Sequence, residues 1–137
     1  MNFLKIGDTT ISLKRSFSSE EEAWNFLLDN PIGNIVNSGL EEGETDRGMF
    51  QKNCVAEIID CKDISRRECD EKGKIRCFLM TLTDGKLIFK GMEYQPFEEI
   101  KDKPNPGSKI LLMGPFEFRR KIALLCSHNV LTLSMTE

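Results

Sequence analysis

The sequence predicts a mostly β chain, with five strands forming a small barrel and a short helical segment ahead of them. Three observations carry this. An Asp84-Gly85 pair separates two apolar runs, residues 75–83 and 86–92, and such a pair supplies the positive φ that a tight hairpin turn demands. Two further apolar runs, 108–114 and 120–126, follow the turn signal Pro104-Asn105-Pro106-Gly107. Upstream, Ser18-Ser19-Glu20-Glu21-Glu22 holds two overlapping S-x-x-E capping boxes and an acidic first turn, which announce one helix.

Taken in order, residues 1–16 have short apolar runs on either side of Gly7-Asp8 and read locally as a hairpin. The helix that starts near Ser19 has Trp24, Leu27 and Leu28 at helical spacing and stops at Asn30-Pro31 and Gly33. Residues 37–47 are rich in glycine and acid and form an exposed connection. Strands are expected near 54–61, 75–83, 86–93, 108–114 and 120–126, with 130–133 continuing the last or pairing separately. Between the first two lies a polar loop, 62–74 (KDISRRECDEKGK), which has no apolar periodicity. The 75–83 strand is apolar on both faces, so something must cover its outside, either the N-terminal helix or another protein. Pro96 ends the third strand, and Tyr94 and Phe97 are placed to seal one barrel end.

Composition bounds the function. A chain of 137 residues sits near the most common size of one domain, large enough to need no metal or disulfide for stability. No apolar run approaches the ~20 residues of a membrane span, and the start lacks the apolar core of a signal peptide. The five cysteines are odd in number and spaced unlike zinc ligands, and His128 is the one histidine. The expectation is reduced thiols, with no metal and no cofactor. Cys126, Ser127 and His128 are neighbours in sequence, but alternate strand positions face opposite ways and make no dyad. No phosphate-binding, dinucleotide-binding or zinc-protease motif is present, so the chain is read as not an enzyme. A net charge of −3 argues against strong non-specific nucleic-acid binding, which depends on cations that neutralise phosphates. Basic clusters do occur at Arg66-Arg67, 72–76 and Arg119-Arg120-Lys121; the first two alternate with acids and read as a solvated loop.

The stretch 82–133 resembles the OB-fold domain of the RecQ-mediated genome instability protein 1 family, through LTDG, GMEYQP, PGSKILLMG and FRRKIALL. Tudor-domain-containing protein 3, a relative of that family, shares the TDG and PG-x-K elements. Similarity extends more weakly through the first strand to NPIGNIV at 30–36, which looks like the family's helical lead-in. The resemblance implies a five-stranded OB-fold barrel over 46–137 with a helical N-terminal cap over 1–45, in place of the hairpin read locally. It also implies a non-catalytic, nuclear partner of the type IA enzyme topoisomerase III, working with a RecQ-type helicase to dissolve joined DNA molecules. DNA would be met mainly indirectly, and no membrane is involved.

In this family the loop between the first two OB strands enters the topoisomerase's DNA gate. The corresponding loop here, 62–74, is shorter than in vertebrate members and closer to that of Tudor-domain-containing protein 3. The partner-binding residues it suggests are Asp63, Ile64, Ser65, Arg66, Arg67 and Glu68. Ile64 is an apolar side chain wasted in a polar loop unless it packs on something. Arg66 and Arg67 carry forked donors suited to carboxylates or phosphates. Lys109 aligns with the family's PG-x-K lysine and is expected to be an exposed, partner-facing cation. The competing reading is a single-stranded DNA-binding OB module, which needs a cationic groove and exposed stacking aromatics. The acidic balance, one Trp on the helix and one Tyr favour protein binding.

Overall fold

The computed structural model describes residues 1–37, 40–65 and 76–134. Residues 3–12 form a hairpin of β1 (Phe3–Ile6) and β2 (Thr9–Ser12), turned at Gly7 with φ +59. This corrects the expectation of an all-helical cap. The physical reason is the period of the apolar residues: Leu4 with Ile6, and Ile11 with Leu13, are two apart, which puts each pair on one face of a strand but splits it across a helix. The expected helix is present as α1 (Glu20–Asp29), with Ser19 Oγ accepting from the Glu22 amide at 3.1 Å. The Glu22 carboxylate accepts from the Ser18 hydroxyl and amide, which hold it below its usual pKa. A short 3-10 helix, Ile32–Asn34, follows.

Among the described residues eight strands make one mixed sheet: β3 (Gly48–Phe50), β4 (Asn53–Asp63), β5 (Phe78–Thr83), β6 (Ile88–Glu93), β7 (Lys109–Met113), β8 (Phe116–Arg119), β9 (Ile122–Leu125) and β10 (Val130–Ser134). Their order is β10-β7-β4-β5-β6-β9-β8-β3, with β6 and β9 parallel and the other pairs antiparallel. The expected count of five barrel strands is not seen, and among the described residues no ladder closes this sheet. The sheet ends at β10 and β3, and at Gly114-Pro115 the chain passes from β7, paired to β4, into β8, paired to β9. Proline has no amide hydrogen to continue a ladder. The Gly114 amide turns instead to Lys52 O at 2.9 Å and Asn53 Oδ1 at 3.1 Å. Asn129, itself buried, braces the bend by donating to Met113 O (2.8 Å) and Pro115 O (3.1 Å).

The sheet curls around one core, to which Phe50, Ile58, Met80, Phe89, Leu112, Phe118 and Leu125 all contribute. The alternation in β5 is strict: Phe78, Met80 and Leu82 are buried, while Leu79, Thr81 and Thr83 are half-buried. A second core lies outside the curl. Leu4, Ile11, Phe17, Leu27, Ile32 and Ile35 of the N-terminal segment pack on Val55 of β4 and Leu111 of β7. Fully buried Leu and Ile side chains contribute roughly 1.5–3 kcal/mol each, so this cap is an integral layer. It covers β4, β7 and β10, and its core includes no residue of β5, β6 or β9, on whose outer face Leu79, Met92, Ile122 and Leu124 are half-buried.

The cap is also tied to the β5–β6 turn. Asp84, 1% exposed, accepts from Lys86 N (3.0 Å), Leu87 N (2.8 Å) and Leu40 N (3.2 Å). Gly85 lies directly against Gly33. Among the described residues no helix is long and apolar enough to cross a membrane.

Candidate functional site

The long loop leaves the sheet from the end of β4 and returns at β5, and its two feet are pinned together. Asp63 and Phe78 are paired at the last register position. Asp63 Oδ1 accepts from Ser65 N at 3.0 Å and Cys77 N at 3.2 Å, and Ile64 N donates to Cys77 O at 2.8 Å. Of the expected partner-binding residues, Asp63 and Ser65 thus shape the loop base. The Ile64 side chain is 47% exposed and belongs to neither core. Arg66, Arg67 and Glu68 lie outside the described residues.

Beneath the loop is a network the sequence reading missed. The Glu93 side chain is fully buried and accepts from Arg76 Nε (3.1 Å) and Nη2 (2.8 Å), Phe78 N (3.2 Å) and Phe97 N (2.6 Å). Arg76 also donates to Phe97 O and Lys101 O, both at 2.7 Å, and its guanidinium stands 4.6 Å from the Phe78 ring centroid. One guanidinium therefore joins the returning foot of the loop, the end of β6 and the 97–101 segment. A buried carboxylate is tolerated here because every oxygen is matched by donors and a cation. From sequence, Arg76 reads as the last member of a basic loop cluster, and only the fold reveals its partner, 17 residues away.

Lys109 departs from expectation. It is 4% exposed, donating to Leu28 O at the end of α1 (3.2 Å) and lying 3.9 Å from Glu57 Oε1, which in turn accepts from Ile32 N (3.3 Å). On β7 the outward positions are Lys109, Leu111 and Met113, and the cap covers them. The lysine is buried with the rest of its face. A cation at a helix C-terminus satisfies a terminal carbonyl and the dipole together. Lys109→Ala is expected to cost about 2 kcal/mol by leaving Leu28 O and Glu57 without their cation. Hydrogen exchange should show α1 amides losing protection while β5 and β6 keep theirs; equal protection of α1 in both proteins would refute the staple.

Tyr94, expected to seal a barrel end, is 58% exposed, whereas Phe97 is buried as expected. Most described phenylalanines are inside, and Phe3 and Tyr94 are the large aromatics that stand open. Burial pushes the Cys54 thiol up to about 12 and Cys61 to about 11, and raises Cys77 too. These thiols stay protonated at neutral pH and supply no thiolate. No group of three or more His, Cys, Asp or Glu among the described residues is arranged to hold a metal. What the geometry does provide is a hydrogen-bonded base that holds the two feet of the loop together, with an exposed apolar side chain at one foot.

Comparison with known proteins agrees with this architecture. The family described as RMI1, N-terminal OB-fold domain, matches residues 29–135. RecQ-mediated genome instability protein 1 of Mus musculus is 33% identical over 118 residues, covering 78% of this chain and 19% of that protein. The proteins of the same name from Danio rerio (36% over 58 residues, 42% of this chain and 11% of that protein) and Xenopus laevis (29% over 82 residues, 60% and 15%) are also similar. The chain spans less than a fifth of the length of these relatives.

Proposed function

Because the chain belongs to the family of RMI1 N-terminal OB-fold domains, we propose that it is a non-catalytic accessory subunit acting in genome stability. On this reading it binds topoisomerase III in the nucleus, works with a RecQ-type helicase reached directly or through the topoisomerase, and modulates the enzyme's DNA gate while joined DNA molecules are dissolved. The observation that carries the proposal is the mounting of the loop. A polar segment whose two feet are held together by Asp63, Cys77 and the Arg76–Glu93 network starts and ends at one defined place on the sheet, as an element inserted into a partner must. Ile64 at its foot offers one apolar contact. Lys109 supports the same role indirectly, by fixing the cap against β7.

The test separates gate modulation from attachment. Residues 66–74 are replaced by a short Gly-Ser linker, with Asp63, Ser65 and Arg76 retained so that the base survives. Closure entropy changes slowly with loop length, so stability should hold within ~1 kcal/mol. Decatenation by topoisomerase III is expected to change roughly tenfold, while affinity for the enzyme changes by less than about threefold. Ile64→Asp should act in the same direction more weakly, since it places a charge where the partner must desolvate it. Unchanged decatenation would leave the domain as an anchor only. Sub-micromolar binding of single strands by the free domain would favour the nucleic-acid reading instead.

A further inference from the structure

The cluster Arg119-Arg120-Lys121 takes no part in the loop or its base, and the fold puts it beside a half-buried apolar surface to which the cap core contributes no residue. On the outer face of β5, β6 and β9, Leu79 is paired with Met92 and Met92 with Leu124, giving an unbroken aliphatic row across three strands. Ile122 lies one step along β9, and Ile88, 69% exposed, stands at the start of β6. None of these five side chains belongs to either core. The row is aliphatic and suits a protein's apolar side chains; Tyr94, two residues beyond Met92 and 58% exposed, is a single ring, whereas strand binders stack successive bases on several.

Cations rim the row. Lys62 is opposite Leu79, Lys90 is opposite Ile122 and bonded to Thr81 Oγ1 at 2.7 Å, and Arg119 follows on β8. Described carboxylates on the same face include Glu57, opposite Thr83 and 3.9 Å from Lys109, Asp60, opposite Thr81, and Glu117, opposite Leu124 and paired with Arg119 at 2.9 Å. Arg120 and Lys121 then form the two-residue turn between β8 and β9, both with positive φ, +52 and +68. That turn favours Asn-Gly, because side chains with a β-carbon pay a backbone penalty in the left-handed region. Two exposed cations are thus held where uncharged residues fold more easily. In a chain of net charge −3, this local excess of positive charge selects a negative partner.

We propose that this face docks an acidic amphipathic segment of a partner protein, its apolar side chains on the Leu79–Met92–Leu124 row and its carboxylates on Lys90, Arg119, Arg120 and Lys121. The surface excludes the loop, so failure of the gate reading leaves it standing, and the reverse.

The experiment uses methyl-labelled protein and a synthetic amphipathic helical peptide of about 18 residues, leucine on one face and glutamate on its flanks. A version with lysine for glutamate and an oligothymidylate of about 20 nucleotides serve as the other arms. The glutamate peptide should shift the Ile88, Ile122, Leu79, Leu124 and Met92 methyls, saturably and less at high salt, leaving Val55 and Leu111 unmoved. The double variant Arg120→Asn/Lys121→Gly should melt about 3 °C higher or more yet bind the peptide roughly tenfold more weakly. Equal binding of the lysine peptide, shifts elsewhere or none, tighter binding of the oligonucleotide, or full affinity in the double variant would each overturn the proposal.

Discussion

Gly85→Ala is expected to lower stability by about 3 kcal/mol, through two effects that add. Gly85 has φ +99, a conformation that costs a residue with a β-carbon ~1–3 kcal/mol. A β-carbon there would also stand 2.7 Å from Gly33 Cα and 3.2 Å from Gly33 N. Those are backbone atoms of the 3-10 helix, so no side chain can rotate away, and the β5–β6 turn must part from the cap. Separation would strain the neighbouring bond from Leu40 N to the Asp84 carboxylate and loosen Ile32 and Ile35 in the second core. The comparison is Gly7→Ala, where φ is +59 but nothing lies within 4 Å of the added carbon. That variant should lose only ~1–2 kcal/mol. Urea denaturation of both proteins measures the difference. Equal losses would mean that the Gly33 contact contributes nothing beyond the backbone conformation.

The same turn shows what was legible in the sequence and what was not. Asp84-Gly85 marked a reversal between two strands correctly, because turn chemistry is local. The turn type was not legible. The strands end at Thr83 and resume at Ile88, and of the Asp-Gly pair only Gly85 has positive φ, instead of both residues as in a type I′ turn. Asp84 instead folds its carboxylate onto the following amides and reaches Leu40, 44 residues back. Helix α1 is legible in its capping box and the N-terminal hairpin in the short apolar runs around Gly7-Asp8, which the family analogy displaced wrongly. Lys109 was misplaced because a lysine on a strand reads as solvated until the layer covering that strand is known. The split between β7 and β8 went unseen because Phe116–Arg119 is too short to announce itself as a strand. What remained hidden in each case was a contact between elements far apart in sequence, which no local pattern encodes.

Arg76→Leu is expected to have the largest effect of any charge removal, about 4 kcal/mol, because it strands the Glu93 carboxylate in the interior. The Glu93 side chain has no exposure, and Arg76 is the cation the structure places against it, through two nitrogens at 2.8 and 3.1 Å. The amides of Phe78 and Phe97 would still donate to it. Two neutral donors do not replace a guanidinium, which also ties Phe97 O and Lys101 O to the loop foot. Glu93→Leu alone should cost a similar amount, since it orphans both amides and leaves Arg76 with carbonyls only. Removing both charges relieves the stranded ion but not the stranded amides, so Arg76→Leu/Glu93→Leu should fall well short of the sum of the single losses. The resulting coupling, ~2 kcal/mol or more, is read from a double-mutant cycle in urea. Strict additivity would mean that the two side chains act independently, and the loop base would then owe its rigidity to Asp63 alone. With coupling present, the proposed gate role further predicts that Arg76→Leu changes decatenation in the same direction as loop replacement, because it loosens the base from which the loop starts.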